Sequence, residues 1–103
     1  MGFVRIAAYR AIAGKQRKFL SLIRRHAPLL RSLEAITENS FLLKSMDGTI
    51  IEIIEWKSPA AKKKAMKSEE LWELWEGMKL FAVRVKLSSV AETRQIISKF
   101  SGI

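Results

Sequence analysis

The chain of 103 residues has no cysteine, and only one histidine (His26), one aspartate (Asp47) and two prolines. Without cysteine it forms no disulfide, performs no thiol chemistry and offers no thiolate to a metal. Its five glycines are Gly2, Gly14, Gly48, Gly77 and Gly102, too far apart for a dinucleotide fingerprint or a phosphate-cradling loop. Asp47 precedes Gly48 between two apolar runs, the pattern of a tight hairpin turn. A Ser-His-Asp triad is therefore left without a free aspartate, and a zinc site would have to gather carboxylates around a single imidazole. No apolar run approaches the ~18 residues of a membrane span, and the N-terminus lacks the unbroken apolar stretch of a signal peptide. The expectation is a soluble, cytoplasmic protein that does not enter a membrane and carries no metal or cofactor.

What is present is a chain 49% hydrophobic and 28% charged, with 19 Lys and Arg against 10 Asp and Glu. That length suits one domain spanning 1-103, which hides only roughly 60–65% of the surface its unfolded form exposes. Residues 3–10 (FVRIAAYR) are β-branched and aromatic, as in a strand covered on both faces. Over residues 15–34, Phe19, Leu22, Ile23, Leu30 and Leu33 recur at helical spacings. Residues 40–46 and 49–56 read as a hairpin closed by Asp47-Gly48 in a type I′ turn. Ser58-Pro59 opens a second helical region, and Ser68-Glu69-Glu70 repeats the start signal, so a break is expected near Lys67. Residues 81–87 alternate as a half-buried strand with Phe81, Val83, Val85 and Leu87 on the apolar side, and Ser89 with Glu92 forms a capping box for a short last helix.

The order β-α-β-β-α-β with a central hairpin is the ferredoxin-like α+β arrangement, a four-stranded antiparallel sheet with helices on one face. Strands 1 and 3 carry apolar residues on both faces, and two helices cover only one. The natural remedy is a homodimer formed through the other sheet face.

His26 falls seven residues after Phe19 and four before Leu30, in the middle of the apolar helical stripe. Pro28 removes an N–H two positions later, leaves the Arg24 carbonyl without its intrahelical donor and should kink the helix, and a kink there would give an inward imidazole a cleft. The readings are a buried neutral histidine satisfied by backbone, or a pocket histidine with a catalytic role. Trp56, Trp72 and Tyr9 are candidate pocket walls, Trp72 because it lies at the edge of its helical stripe, whereas Trp75 reads as plain core. Glu52 and Glu55 point to opposite faces of strand 3, and Arg5 on strand 1 is placed to neutralise one of them. Eleven of the 19 basic residues lie in the first helix and in residues 57–67. Without interleaved aromatics or a nucleic-acid motif they read as solvated helix surface, and nucleic acid is disfavoured as a partner.

The first strand, Gly14-Lys15, the HAPLLRSLE stretch, LLKSMDGTIIEIIEWKS and SEELWELWEGMKLFAVRVKLSSVAE together resemble the antibiotic biosynthesis monooxygenase-like family of dimeric α/β-barrel proteins. The resemblance spans nearly the whole chain. It implies a ferredoxin-like protomer that pairs through its sheet, with a pocket between helices and sheet lined by Tyr9, His26, Trp56 and Trp72 and by Arg5. Relatives include cofactor-independent oxygenases of polycyclic phenols, quinol oxygenases and haem-degrading enzymes. The haem-degrading members use an asparagine in strand 1 and a histidine in the second helix. Here strand 1 has no asparagine and the one histidine lies in the first helix. The implied activity is cofactor-independent oxidation of a small aromatic or quinol-type substrate, with His26 as proton acceptor. The alternative is a non-catalytic ligand-binding or regulatory dimer on the same scaffold.

Overall fold

The structure is a computed structural model, described over residues 2–86. The chain runs β1 (Phe3–Ala11), α1 (Gln16–Ser32), β2 (Ile36–Lys44), β3 (Ile50–Trp56), α2 (Pro59–Ala65), α3 (Glu69–Phe81) and β4 (Ala82–Val85). The capping box at Ser89 and Glu92 and the helix expected after it lie outside the described residues.

Local chemistry sets the boundaries. Ser58 Oγ accepts from the Ala61 N–H at 3.0 Å and Ser68 Oγ from the Leu71 N–H at 3.2 Å, so each serine satisfies one of the donors a helix start leaves free. The two caps split the second helical region near Lys67, as the repeated start signal predicts. Helix α1 continues through Pro28 and ends with Glu34 at φ 58°. There the Ala35 N–H reaches the Leu30 carbonyl and the Glu34 N–H reaches that of Arg31, the paired bonds of a Schellman stop.

Four antiparallel strands form one sheet in the order β2-β3-β1-β4, the ferredoxin-like arrangement. Pairing of Arg5 with Ile54, Ala7 with Glu52, Tyr9 with Ile50 and Tyr9 with Arg84 puts these residues on one face. The helices cover that face. Phe19, Ile23, Leu74 and Met78 pack with Ala7, Tyr9 and Ile50, while Leu30, Ala65 and Leu71 pack with Ile54 and Trp56. The opposite face carries Val4, Ile6, Phe41, Leu43 and Val83, all exposed.

Three expectations are corrected. The hairpin turn is not type I′: Gly48 alone has positive φ (88°), and the Gly48 N–H bonds to the Ser45 carbonyl at 3.0 Å. Met46, Asp47 and Gly48 form a three-residue loop because the Asp47 carboxylate accepts from Ser45 Oγ and from the Thr49 N–H, holding Asp47 out of the left-handed region. Strand β2 begins at Ile36, not near residue 40, and carries a register shift between Ile36 and Ser40. The polar residues Thr37 and Asn39 sit in that irregularity and both donate to Glu55 Oε1. Finally, Phe81 ends α3, and in β4 it is Ala82 that is buried while Val83 is 55% exposed. Pairing with β1 sets this phase, so the valines face the open side.

Candidate functional site

A buried hydrogen-bonded chain crosses the layer between helices and sheet. His26 on α1 and Glu52 on β3 are 1% and 3% exposed. His26 Nδ1 lies 2.8 Å and 2.9 Å from the two Glu52 carboxylate oxygens, and Trp75 Nε1 on α3 donates to His26 Nε2 at 2.9 Å. An indole N–H is only a donor, so Nε2 is an acceptor and the ring proton sits on Nδ1, donated to Glu52. The imidazole is therefore neutral and both nitrogens are engaged. Paired in this way, the buried carboxylate avoids the several kcal/mol that an unpartnered buried charge costs.

On the α3 side of this chain lies a cavity of about 390 Å³ between the sheet and helices α2 and α3. Its apolar walls are Tyr9, Trp56, Trp75, Met66 and Met78, and its charged residues are Arg5, Lys62, Lys79 and Arg84, with no carboxylate lining it among the described residues. Volume and composition suit a small planar ligand. Two of the aromatic walls are capped by cations: the Arg84 guanidinium lies 5.7 Å from the Tyr9 ring centroid and Lys62 Nζ 5.4 Å from that of Trp56. Burial pushes the Tyr9 hydroxyl above its ordinary pKa, and the Glu52 charge adds to this, while Arg5 and Arg84 pull the other way. The buried indole N–H of Trp56 has no acceptor among the described residues.

Of the residues singled out from sequence, Tyr9, Trp56 and Arg5 line this cavity together, whereas His26 and Trp72 do not. His26 stands behind Trp75, with the imidazole and indole centroids 6.2 Å apart. A proton acceptor inside the cavity would need a free nitrogen, and in this geometry His26 has none. Trp72 lies edge-on to Trp75, centroids 4.9 Å apart, and donates its N–H to the Met66 carbonyl, so it buttresses the wall from outside. A cleft does open beside Pro28, about 280 Å³ between α1 and β2, and it is Glu52 that reaches it. Arg5 neutralises neither carboxylate: Glu52 bonds His26, and Glu55 accepts from Thr37 and Asn39, which hold its pKa below the ordinary value. Asp47 is likewise held well below the usual carboxylate range by Ser45 and Thr49, a turn device far from the cavity. Sequence reasoning missed Trp75 as a wall of this cavity and Arg84 and Lys62 as its charged rim. The Trp75 signal was its helical phase with Leu71 and Met78; nothing local tied its nitrogen to a histidine 49 residues away. Among the described residues no three His, Asp or Glu side chains converge as a metal site.

No family model matches the chain, and no curated protein does. Solved structures match its fold. SnoaB, a cofactor-independent oxygenase from Streptomyces nogalater, aligns with TM-score 0.70 at 14% identity over 82% of this chain and 86% of that one. Rv0793 from Mycobacterium tuberculosis aligns with TM-score 0.69 at 12% identity over 82% and 91%. A Chloroflexus aurantiacus protein, named as a candidate antibiotic biosynthesis monooxygenase, aligns with TM-score 0.67 at 13% identity over 81% and 83%. The chain thus has the fold of antibiotic biosynthesis monooxygenase-like proteins.

Proposed function

We propose that the chain belongs functionally with these oxygenases, binding a small phenolic or quinol-type aromatic in the cavity beside Trp75 and oxidising it with molecular oxygen without a cofactor. The observation that carries the reading is the cavity itself: three aromatic rings and two methionines around about 390 Å³, open to a charged rim. A quinol-type ring supplies its own electrons to oxygen, so the protein's part is to bind, orient and shield it. Tyr9, Trp56 and Trp75 stack against the ring. Arg5 and Arg84 sit where an oxygen substituent would be oriented. In this reading His26 is a positioning residue that fixes the Trp75 indole through one hydrogen bond and is itself fixed by Glu52.

Oxygen uptake by the purified protein with a panel of naphthalenediols and anthrones tests the reading. Uptake that tracks ligand binding, and falls about tenfold or more in Trp75→Ala while Trp72→Phe retains it, is the expected result. Ligand binding with no oxygen consumption by any member of the panel overturns it. One observation favours a second reading, a non-catalytic ligand-binding dimer: among the described residues no free imidazole or carboxylate lines the cavity. Ligand-raised melting without turnover is its signature. In either reading we place a second copy of the chain against the open apolar sheet face, where Val4, Ile6, Phe41, Leu43 and Val83 form the exposed surface.

A further inference from the structure

The cavity's rim carries a second message, independent of what reaction takes place. Four cations, Arg5, Lys62, Lys79 and Arg84, surround it and, among the described residues, no carboxylate lines it. Lys79 has a distant partner, Glu76 Oε1 at 3.9 Å on the exposed side of α3. Arg5, Lys62 and Arg84 have no carboxylate within ion-pair distance among the described residues. The buried carboxylate closest in chemistry, Glu52, is committed to His26 and lies outside the lining. A chain of +9 has cations to spare on its surface, but Arg5 and Lys62 are only half-exposed, and Arg84 and Lys62 stack on the aromatic walls. Arg84 itself is exposed, at the cavity's rim, so the cations flank the space between the rings, and the half-buried ones are screened less than charges in open solvent.

We infer that the ligand of this cavity is an aromatic acid, a planar ring system bearing an ionised carboxylate that Arg5 and Arg84 hold at the sheet edge. This rests on the reading of the cavity as a site for a small aromatic and adds the substituent that selects among such molecules. A guanidinium presents paired N–H donors to a carboxylate, while the rings Tyr9, Trp56 and Trp75 receive the apolar body. A neutral aromatic of the same shape fills the walls but leaves three unpaired cations around it, so discrimination comes from charge and not from volume.

The test is tryptophan fluorescence titration of the whole chain with a matched pair, 2-naphthoate and 2-naphthalenemethanol, at low and at moderate salt. The acid is expected to bind about tenfold or more tightly than the alcohol, with the advantage shrinking as salt rises. Arg84→Gln and Arg5→Gln should each erase most of that ratio through the acid alone. Arg17→Gln, on the exposed surface of α1, should leave the ratio unchanged and so separate the rim from the overall charge. Equal affinities for acid and alcohol overturn the inference while leaving the aromatic cavity standing. So does a ratio that Arg17→Gln changes as much as Arg84→Gln. Absence of binding by both compounds removes the inference and the cavity reading together. Selective binding of the acid with no oxygen uptake from any phenol supports the inference and overturns the oxygenase reading alone.

Discussion

The two faces of the sheet have similar hydrophobic content and opposite fates. On the helix side Ile54 and Trp56 are 1% and 0% exposed, while on the other side Phe41 and Val83 are 57% and 55% exposed. The difference that matters lies in the polar residues. Glu52, Arg5, Tyr9 and Arg84 all project to the covered face, with Glu52 and Tyr9 buried there, Arg5 half-buried and Arg84 exposed at its rim. Low dielectric makes the buried Glu52 charge the most consequential of them. Most of what the open face presents is aliphatic or aromatic, apart from Glu55 with its donors Thr37 and Asn39, and Arg10, which bonds the buried Thr49 hydroxyl at 3.2 Å. One face holds a buried polar chain beside a cavity and the other an exposed apolar surface, and period-two alternation describes both equally well.

The sharpest way to break this contrast is to remove one member of the buried chain. His26→Leu strands Glu52 without its donor and Trp75 without its acceptor, and should cost about 3–5 kcal/mol in urea unfolding. Val83→Thr on the open face should change the stability of a monomer by less than about 0.5 kcal/mol. Comparable losses from the two substitutions would mean that the faces do not differ as described. Next in size is the effect of Phe41→Asp, which puts a charge in the middle of the open face. With a second copy seated there, light scattering at micromolar concentration gives a dimer for the parent chain and a monomer for the variant. A monomeric parent chain ends the association half of the comparison. Smaller again, Ser68→Ala removes the α3 cap under the cavity wall and should cost about 1 kcal/mol by thermal or urea unfolding.

The finest probe is the sole tyrosine, which titrates alone in the ultraviolet. Tyr9 faces the covered side, and its hydroxyl is raised above the ordinary value of 10.0, by burial first. The folded protein thus holds this proton more firmly than the unfolded chain does. The stability it contributes is whole below pH 10 and is lost as pH rises through the higher folded-state value. A phenolic absorbance transition centred at or below 10 in the folded protein would show that Tyr9 is solvated and the covered face open.

The element order, both helix caps of the second region and the ferredoxin-like sheet were legible in the sequence, because Ser58-Pro59, Ser68-Glu69-Glu70 and the spacing of Phe19, Ile23 and Leu30 are local signals. The phase of β4 was not. Apolar Val83 and Val85 read as inward, and only the pairing of Tyr9 with Arg84 reveals that they face the open side. Strand β2 was cut short because Glu38 and Asn39 have little strand propensity and break the apolar pattern, while Thr37 and Asn39 are held in place by Glu55, a cross-strand contact. The site was half legible. Tyr9, Trp56 and Arg5 could be placed on one side of a pocket by strand position, and His26 could be placed inside the core by helical phase. That His26 spends both nitrogens on Glu52 and Trp75 depends on three elements meeting, and no spacing encodes it.

The buried chain also has a direction. Both of its N–H bonds point the same way, from the Trp75 indole to the imidazole and from the imidazole to the Glu52 carboxylate. Aligned dipoles of this kind polarise one another and draw positive charge toward the anion. Seen from the cavity, Trp75 is thus an indole whose nitrogen leans away toward a negative end and whose π face is left richer for whatever cation or ring stacks upon it. Turning any link around would leave two donors or two acceptors facing each other, so the proton order inside this layer is set once, at folding, and holds as long as the three helices stay closed over the sheet.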